Sequence, residues 1–307
     1  MTDGIVCRVL TGPTASGKSD LSVRLAAENG WDIISMDSMQ IYRRMNIGTA
    51  KPTIREMGGV RHYMIDICDP SDPYSVAQYR DDAEKLIVLL HEQGHEVLIT
   101  GGTTLYLQAM IRQMTMGNVP ADAALREKLN RQASEPEGRK QLLERLKEID
   151  PITAARLHVN DVRRIIRAIE VWESTGKPFS SQQERSMEYD RRFVWKIAST
   201  RMERAMLYDR INLRVTGMIK AGLKDEVASL IEDGISPEAQ SMNGIGYKEM
   251  IPCIYGEYSL EEAAERIRTN TRHYAKRQMT FLRRIDQVAY VDTDRAGAWD
   301  KIRQTLV

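Results

Sequence analysis

Apolar residues in the first third of the chain fall into short continuous runs separated by stretches of helical spacing. Ile5–Leu10 is such a run, as a strand covered on both faces requires. Asp32–Met36, Tyr63–Ile67 and Val97–Thr100 read as further strands. Between them Ser19–Glu28 reads as a helix. So does Ser75–Gln93, with apolar positions at Val76, Tyr79, Ala83, Leu86, Ile87 and Leu90. Strands alternating with helices predict a parallel sheet with helices on both faces. In such sheets ligands bind beyond the carboxyl ends of the strands. Residues 12–19, Asp37 and residues 101–104 all follow predicted strands, so they should meet in one crevice.

The pattern changes near Thr115. From Ala121 to about Gln183 only helical periodicity is present, rich in Arg, Lys and Glu and punctuated by Pro120, Pro136, Pro151 and Pro178. Phe193–Ser199 then returns to a strand pattern. Helices follow over Met202 to about Gly222 and Lys224–Glu232, then a turn at Gly244–Gly246, a long helix from Leu260 to Arg284 and a last strand at Val288–Asp292. The expected organisation is a discontinuous α/β core, residues 1–117 and 186–307, interrupted by an all-helical insertion, residues 118–185.

Composition narrows the class. At 307 residues, 42% hydrophobic and 28% charged, the chain can bury a large core or two smaller ones. The formal net charge of +1 gives no global sign of a nucleic-acid partner, so any basic surface must be local. The three cysteines, Cys7, Cys68 and Cys253, are far apart, which argues against a disulfide scaffold or zinc finger and for a reducing compartment. His91 and His95 are four apart but Gly94 interrupts them, and no other histidine has ligand spacing; no transition-metal site is expected. No signal-peptide pattern opens the chain and no apolar run reaches membrane-spanning length, so a cytoplasmic protein without membrane contact is expected.

The sharpest chemistry is Gly12-Pro13-Thr14-Ala15-Ser16-Gly17-Lys18-Ser19, a complete G-x-x-x-x-G-K-[ST] phosphate loop between a strand and a helix. Its glycines let backbone N–H groups converge on an anion, Lys18 adds a mobile cation, and Ser19 offers a hydroxyl to a Mg²⁺ on the same phosphates. The fold expected is therefore P-loop NTPase-like. The loop alone does not separate ATP from another polyphosphate.

Other residues leave two readings open. Asp37 at the end of the second strand is placed to accept a proton, or to cap a turn. Lys51 in Ile47–Pro52 could neutralise phosphate or be a solvated surface lysine. Thr103 and Thr104 after Gly101-Gly102 could face the crevice or simply cap a helix. Arg163 and Arg167 share a helix face, while Ile165, Ile166 and Ile169 supply core positions. Arg268, Arg272 and Lys276 form one row on the long helix, with Arg266, Arg277, Arg283 and Arg284 nearby, a stripe suited to a polyanion or to solvent.

Taken in order, GPTASGKS (12–19), DSMQIY (37–42), IGTAKP (47–52), GGTTLYL (101–107), RRIIRAIEV (163–171), RINLRV (210–215), GIGYKE (244–249) and YAKRQMTFLRR (274–284) make the chain resemble the tRNA dimethylallyltransferase family along nearly its whole length. The resemblance implies transfer of a dimethylallyl group from its diphosphate to N6 of adenine 37 in tRNA, with Mg²⁺ as cofactor. It implies Asp37 as general base, Thr103 as a base contact, and Lys18 and Arg214 as a diphosphate clamp. It also implies tRNA contacts at Asp37, Ser38, Met39, Gln40, Thr103, Arg126, Arg163, Arg164, Ile165, Ile166, Arg167, Asn243, Gly244, Ile245, Gly246, Tyr247 and Lys248. The insertion would grip the anticodon stem-loop of a monomeric enzyme, and the absence of a Cys/His-rich C-terminal finger fits a bacterial-type short form. Thr104 stands where the family commonly has Gly, Thr216 where it has Asp and Phe281 where it has Trp. The alternatives are a P-loop small-molecule or nucleotide kinase, which would release ADP, and a prenyltransferase acting on free adenine nucleotides.

Overall fold

The computed structural model describes residues 4–112, 122–181, 192–285 and 287–307. The borders expected at 117/118 and 185/186 lie outside the described residues, as does Pro120. The chain divides into two compact units, Met1–Leu107 with Arg191–Val307, and Gln108–Asp190.

The first unit is built on six described parallel strands: β1 (Ile5–Thr11), β2 (Asp32–Ser35), β3 (His62–Tyr63), β4 (Val97–Gly101), β5 (Phe193–Arg201) and β6 (Val288–Asp292). Their order is β3-β2-β4-β1-β5-β6, so the two ends of the sequence around the insertion form one sheet. β1 lies at its centre, with Thr11 level with Gly101 on one side and Ser199 on the other. Helices α1 (Lys18–Asn29), α2 (Val76–Glu92) and α3 (Thr104–Ile111) follow β1, β3 and β4. Ser75 and Gln78 close α2 with a reciprocal capping box. Leu10, Leu25, Ile33, Leu98, Ala198 and Val291 pack in one buried cluster at the sheet. The exception inside β1 is Arg8, buried yet satisfied. Its Nε donates to the Leu306 carbonyl at 2.9 Å, and its guanidinium lies 4.4 Å from the Trp31 ring centroid.

Three expectations shift. The third strand is His62–Tyr63, so only Tyr63 of the predicted Tyr63–Ile67 remains in it, because Met64 and Asp66 take left-handed backbone (φ 61° and 56°) that a strand cannot contain. Thr104 opens α3 in helical backbone, so the position does not require the freedom of a glycine. After β6 the chain forms a further helix that the sequence pattern does not announce, here α12, Ala298–Leu306, after α8 (Arg204–Lys220), α9 (Leu223–Glu232), α10 (Tyr247–Ile254) and α11 (Leu260–Leu282). It seats Ile302 and Leu306 in the sheet core.

The second unit contains α4 (Ala123–Ala133), α5 (Pro136–Ile149), α6 (Pro151–Ala154) and α7 (Val162–Thr175). Leu129, Leu142, Leu146, Ile165, Ile166 and Ile169 form its core. Glu170 on α7 is fully buried, and its carboxylate binds Arg126 at 2.8 Å, Arg167 at 2.6 Å and the Asp122 N–H at 2.9 Å.

Candidate active site

The phosphate loop leaves β1 at Gly12, whose φ of 143° and contact with Thr200 exclude any side chain: a Cβ there would lie 2.0 Å from Thr200 Oγ1. Ser16 Oγ sits 2.6 Å from the same hydroxyl, and Ala15 is held at φ 64°. A non-glycine residue in this region is strained and persists where its surroundings fix it. Here Arg210 of α8 donates to the Ala15 carbonyl at 2.7 Å, and the Thr14 N–H donates to Gln278 Oε1 at 2.9 Å. The first N–H groups of α1 have no intrahelical acceptor and remain for an anion.

Lys18 curls back so that its Nζ donates to the Pro13 carbonyl at 3.2 Å. Burial, with the Arg214 charge beside it, pulls its pKa down to about 8, against the opposing pull of Asp37. Arg214 reaches from α8 to Thr14 Oγ1 at 3.0 Å. Burial lowers its pKa too, while Asp37 favours its charge. Two cations thus share the loop region and wait for an anion.

Both readings of Asp37 hold at once. Oδ1 accepts from the N–H groups of Met39 (2.9 Å) and Gln40 (3.3 Å), the turn-capping role. Oδ2 takes no hydrogen bond from the described residues and is left to accept a proton. Thr103 Oγ1 accepts from the Ser38 N–H at 3.0 Å, which pins the Asp37 turn to the end of β4. The Tyr274 hydroxyl donates to the Gly102 carbonyl at 3.5 Å, and burial, then the Asp37 charge, pushes its pKa up, so it stays a neutral hydroxyl.

Two cavities meet at these residues. One, of about 350 Å³, is lined by Lys18, Ser19, Asp20, Ser22, Thr100 and Gln278. The other, of about 330 Å³, is lined by Ser38, Met39, Asn243, Ile245, Tyr247 and Lys248. Thr14, Asp37, Thr49, Ala50, Arg214 and Tyr274 line both. The geometry is therefore a phosphate chamber and a second chamber, with the free carboxylate oxygen and Arg214 at their junction.

Ser19 suits a Mg²⁺ that keeps most of its ligands from water and phosphate. It presents a hard hydroxyl donor to the phosphate chamber, and no cluster of three or more His, Cys, Asp or Glu among the described residues offers a protein cage instead.

Several expected contacts change character. Ile165 and Ile166 are buried in the core of the helical unit, so they act by packing and cannot touch RNA. Arg126 and Arg167 are engaged by Glu170, while Arg163 and Arg164 are exposed on the same helix. Arg268 and Arg272 are half-buried and share Glu265 while bonding Thr216 and Asn212 of α8, so the basic row is shorter than its spacing implies. Arg277 instead lines the second chamber. Lys51 is buried rather than solvated: it lines the phosphate chamber, donates to the Tyr42 carbonyl at 2.8 Å and pairs with Asp66. Gly246 caps α10, its N–H donating to Glu249 at 2.8 Å.

Sequence reasoning passes over Gln278 and Arg210. Gln278, buried inside the basic helix, accepts from Thr14 N–H and donates to the Gly102 carbonyl at 2.7 Å, joining the phosphate loop to the β4 turn. The available signal is an amide side chain on the buried side of a basic helix.

A family model described as IPP transferase matches residues 40–285. The tRNA dimethylallyltransferase of Pelotomaculum thermopropionicum is 45% identical over 298 residues, 97% of this chain and 94% of the relative. That of Bacillus mycoides is 46% identical over 287 residues, 92% and 89% of the two chains. Among solved structures, the tRNA isopentenylpyrophosphate transferase of Bacillus halodurans superposes with TM-score 0.68 at 40% identity, covering 98% of this chain and 99% of that one. A eukaryotic dimethylallyltransferase acting on tRNA gives 0.80 at 26% identity, covering 96% and 76%.

Proposed function

The chain belongs to the IPP transferase family, and from that premise we propose that it transfers a dimethylallyl group from dimethylallyl diphosphate to N6 of adenine 37 in tRNA. The observation that carries the reading is the pair of chambers meeting at Asp37 and Arg214. The diphosphate would occupy the side of Lys18 and Ser19, and the adenine would enter from the side of Ser38, Asn243 and Lys248. A base reaches such a chamber only by leaving its stack, and single-stranded RNA loops present bases in that way.

An exocyclic adenine amine is a poor nucleophile, so the reaction needs a good leaving group and a place for the proton. The C1–O bond to diphosphate breaks as the N6–C1 bond forms, and an N6 proton passes to Asp37 Oδ2. Lys18, Arg214 and the N–H groups opening α1 take up the charge that grows on the leaving diphosphate. A Mg²⁺ held by Ser19 and the diphosphate would supply further charge neutralisation there. Thr103 keeps Asp37 aimed by holding Ser38. The helical unit would contribute RNA contacts through Arg163 and Arg164, exposed guanidiniums suited to phosphate. We take the working enzyme to be a monomer.

The test is a transfer assay with labelled dimethylallyl diphosphate, Mg²⁺, and an anticodon stem-loop or free AMP as acceptor. Label on the stem-loop alone supports the proposal. Label on AMP alone assigns a free-nucleotide prenyltransferase, and ATP turnover without prenyl transfer assigns a kinase.

A further inference from the structure

One carboxylate outside the reacting centre is unusually committed. Glu226 on α9 accepts four hydrogen bonds: Oε2 from the N–H groups of Asn46 (2.9 Å) and Ile47 (2.7 Å), and Oε1 from the Gly48 N–H (3.1 Å) and the Tyr247 hydroxyl (2.6 Å). Three consecutive backbone N–H groups on one carboxylate form a fixed suspension point for a loop. The loop forms part of the chamber walls. Gly48 lines the acceptor chamber, and Thr49 and Ala50 line both chambers. Ala50 is held at φ 48°, and Gln40 Nε2 bonds the carbonyls of Thr49 and Ala50 at 3.3 Å each.

Tyr247 closes the other side. It is fully buried, and its ring lies so near Gly48 that a Cβ there would sit 2.4 Å from Tyr247 Cε2. Burial, then the Glu226 charge, raises the Tyr247 pKa well above the ordinary phenol value, so the hydroxyl remains a donor. Asn243, Gly244, Ile245 and Lys248 line the acceptor chamber beside Tyr247. Glu226 therefore fixes both walls to one another while touching neither chamber itself.

We propose that Glu226 is a positioning residue that sets the width of the acceptor chamber by holding residues 46–48 against Tyr247. It rests on the reading that the second chamber receives the acceptor base. Gln cannot replace it, because both carboxylate oxygens are used and an amide offers one acceptor. The amide nitrogen would face backbone N–H groups instead.

Three quantities test this in wild type, Glu226→Gln and Tyr247→Phe: kcat and KM for the stem-loop, affinity for inorganic diphosphate, and the thermal midpoint. The phenylalanine variant keeps the ring on Gly48 and removes one bond, so it serves if the glutamine variant does not fold. Expected for Glu226→Gln is a loss of about tenfold or more in kcat/KM for the stem-loop, with diphosphate affinity unchanged within about twofold. Tyr247→Phe should lose a few-fold in the same direction. Wild-type transfer by both variants overturns the proposal, and so does an equal loss of diphosphate affinity, which would make Glu226 a general scaffold residue. Failure of wild type to label the stem-loop is the separate failure of the functional reading.

Discussion

Asp37 divides its two oxygens between structure and chemistry, and this division is testable by substitution. Asp37→Asn, which keeps one oxygen for the turn and puts an amide nitrogen where the accepting oxygen stood, should reduce transfer by at least about a hundredfold while stem-loop affinity is retained, since general-base groups contribute on that scale. Measured binding and single-turnover rates separate the two, and lost affinity with normal turnover at saturation would contradict the role. Lys18 makes a pH prediction. Its pKa is depressed to about 8 by burial and Arg214, so the cation is present below that value and lost above it. Affinity for dimethylallyl diphosphate in the free enzyme should fall as pH rises through about 8. Lys18→Arg, whose charge persists, should flatten that fall. Gly12 through Ser19 and Asp37 are legible in the sequence because their chemistry depends on local spacing and strand ends. Glu226, Arg210 and Gln278 are not, because each acts on a partner more than 100 residues away.

At the scale of elements, the strands with continuous apolar runs are the readable part. β1, β4 and β6 follow their apolar runs to within a residue. β3 is not readable, since left-handed residues inside an apolar stretch carry no glycine to mark them. On α7 the spacing separates Ile165 and Ile166 from the arginines, and Arg167 and Glu170 are three apart, but nothing local says that Glu170 is buried and also holds Arg126 and the Asp122 N–H, more than 40 residues away. Removing that carboxylate takes away the acceptor that two guanidiniums and a backbone N–H share. Glu170→Ala should destabilise the helical unit by about 2 kcal/mol, the low side for a broken buried pair because the arginines still reach water. Circular-dichroism melts would measure it. Burial alone would raise the Glu170 pKa, but the bonds from Arg126, Arg167 and Asp122 outweigh it and lower it. Its contribution is thus complete above the unfolded carboxyl pKa and disappears as pH falls through the lowered folded value. For the same reason Arg163→Glu is the clean probe of RNA contact on this helix. It should weaken stem-loop binding and reduce the salt slope, whereas Arg167→Glu would also break the packing.

At the scale of the molecule, a sheet assembled from both ends of the sequence brings the phosphate loop, the Asp37 turn and the Asn243–Lys248 segment onto two joined chambers. No described helix is long and apolar enough to cross a membrane, and Arg277 on α11 lines the second chamber. The proposed reading predicts one product: a prenyl group on an adenine amine inside RNA. The most direct measurement is nucleoside mass analysis of an anticodon stem-loop with adenines at 36, 37 and 38, digested after incubation with dimethylallyl diphosphate and Mg²⁺. The account predicts dimethylallyl adenosine at position 37, and none in a stem-loop carrying guanine there. Unmodified RNA, or modification that persists with guanine at 37, would contradict it.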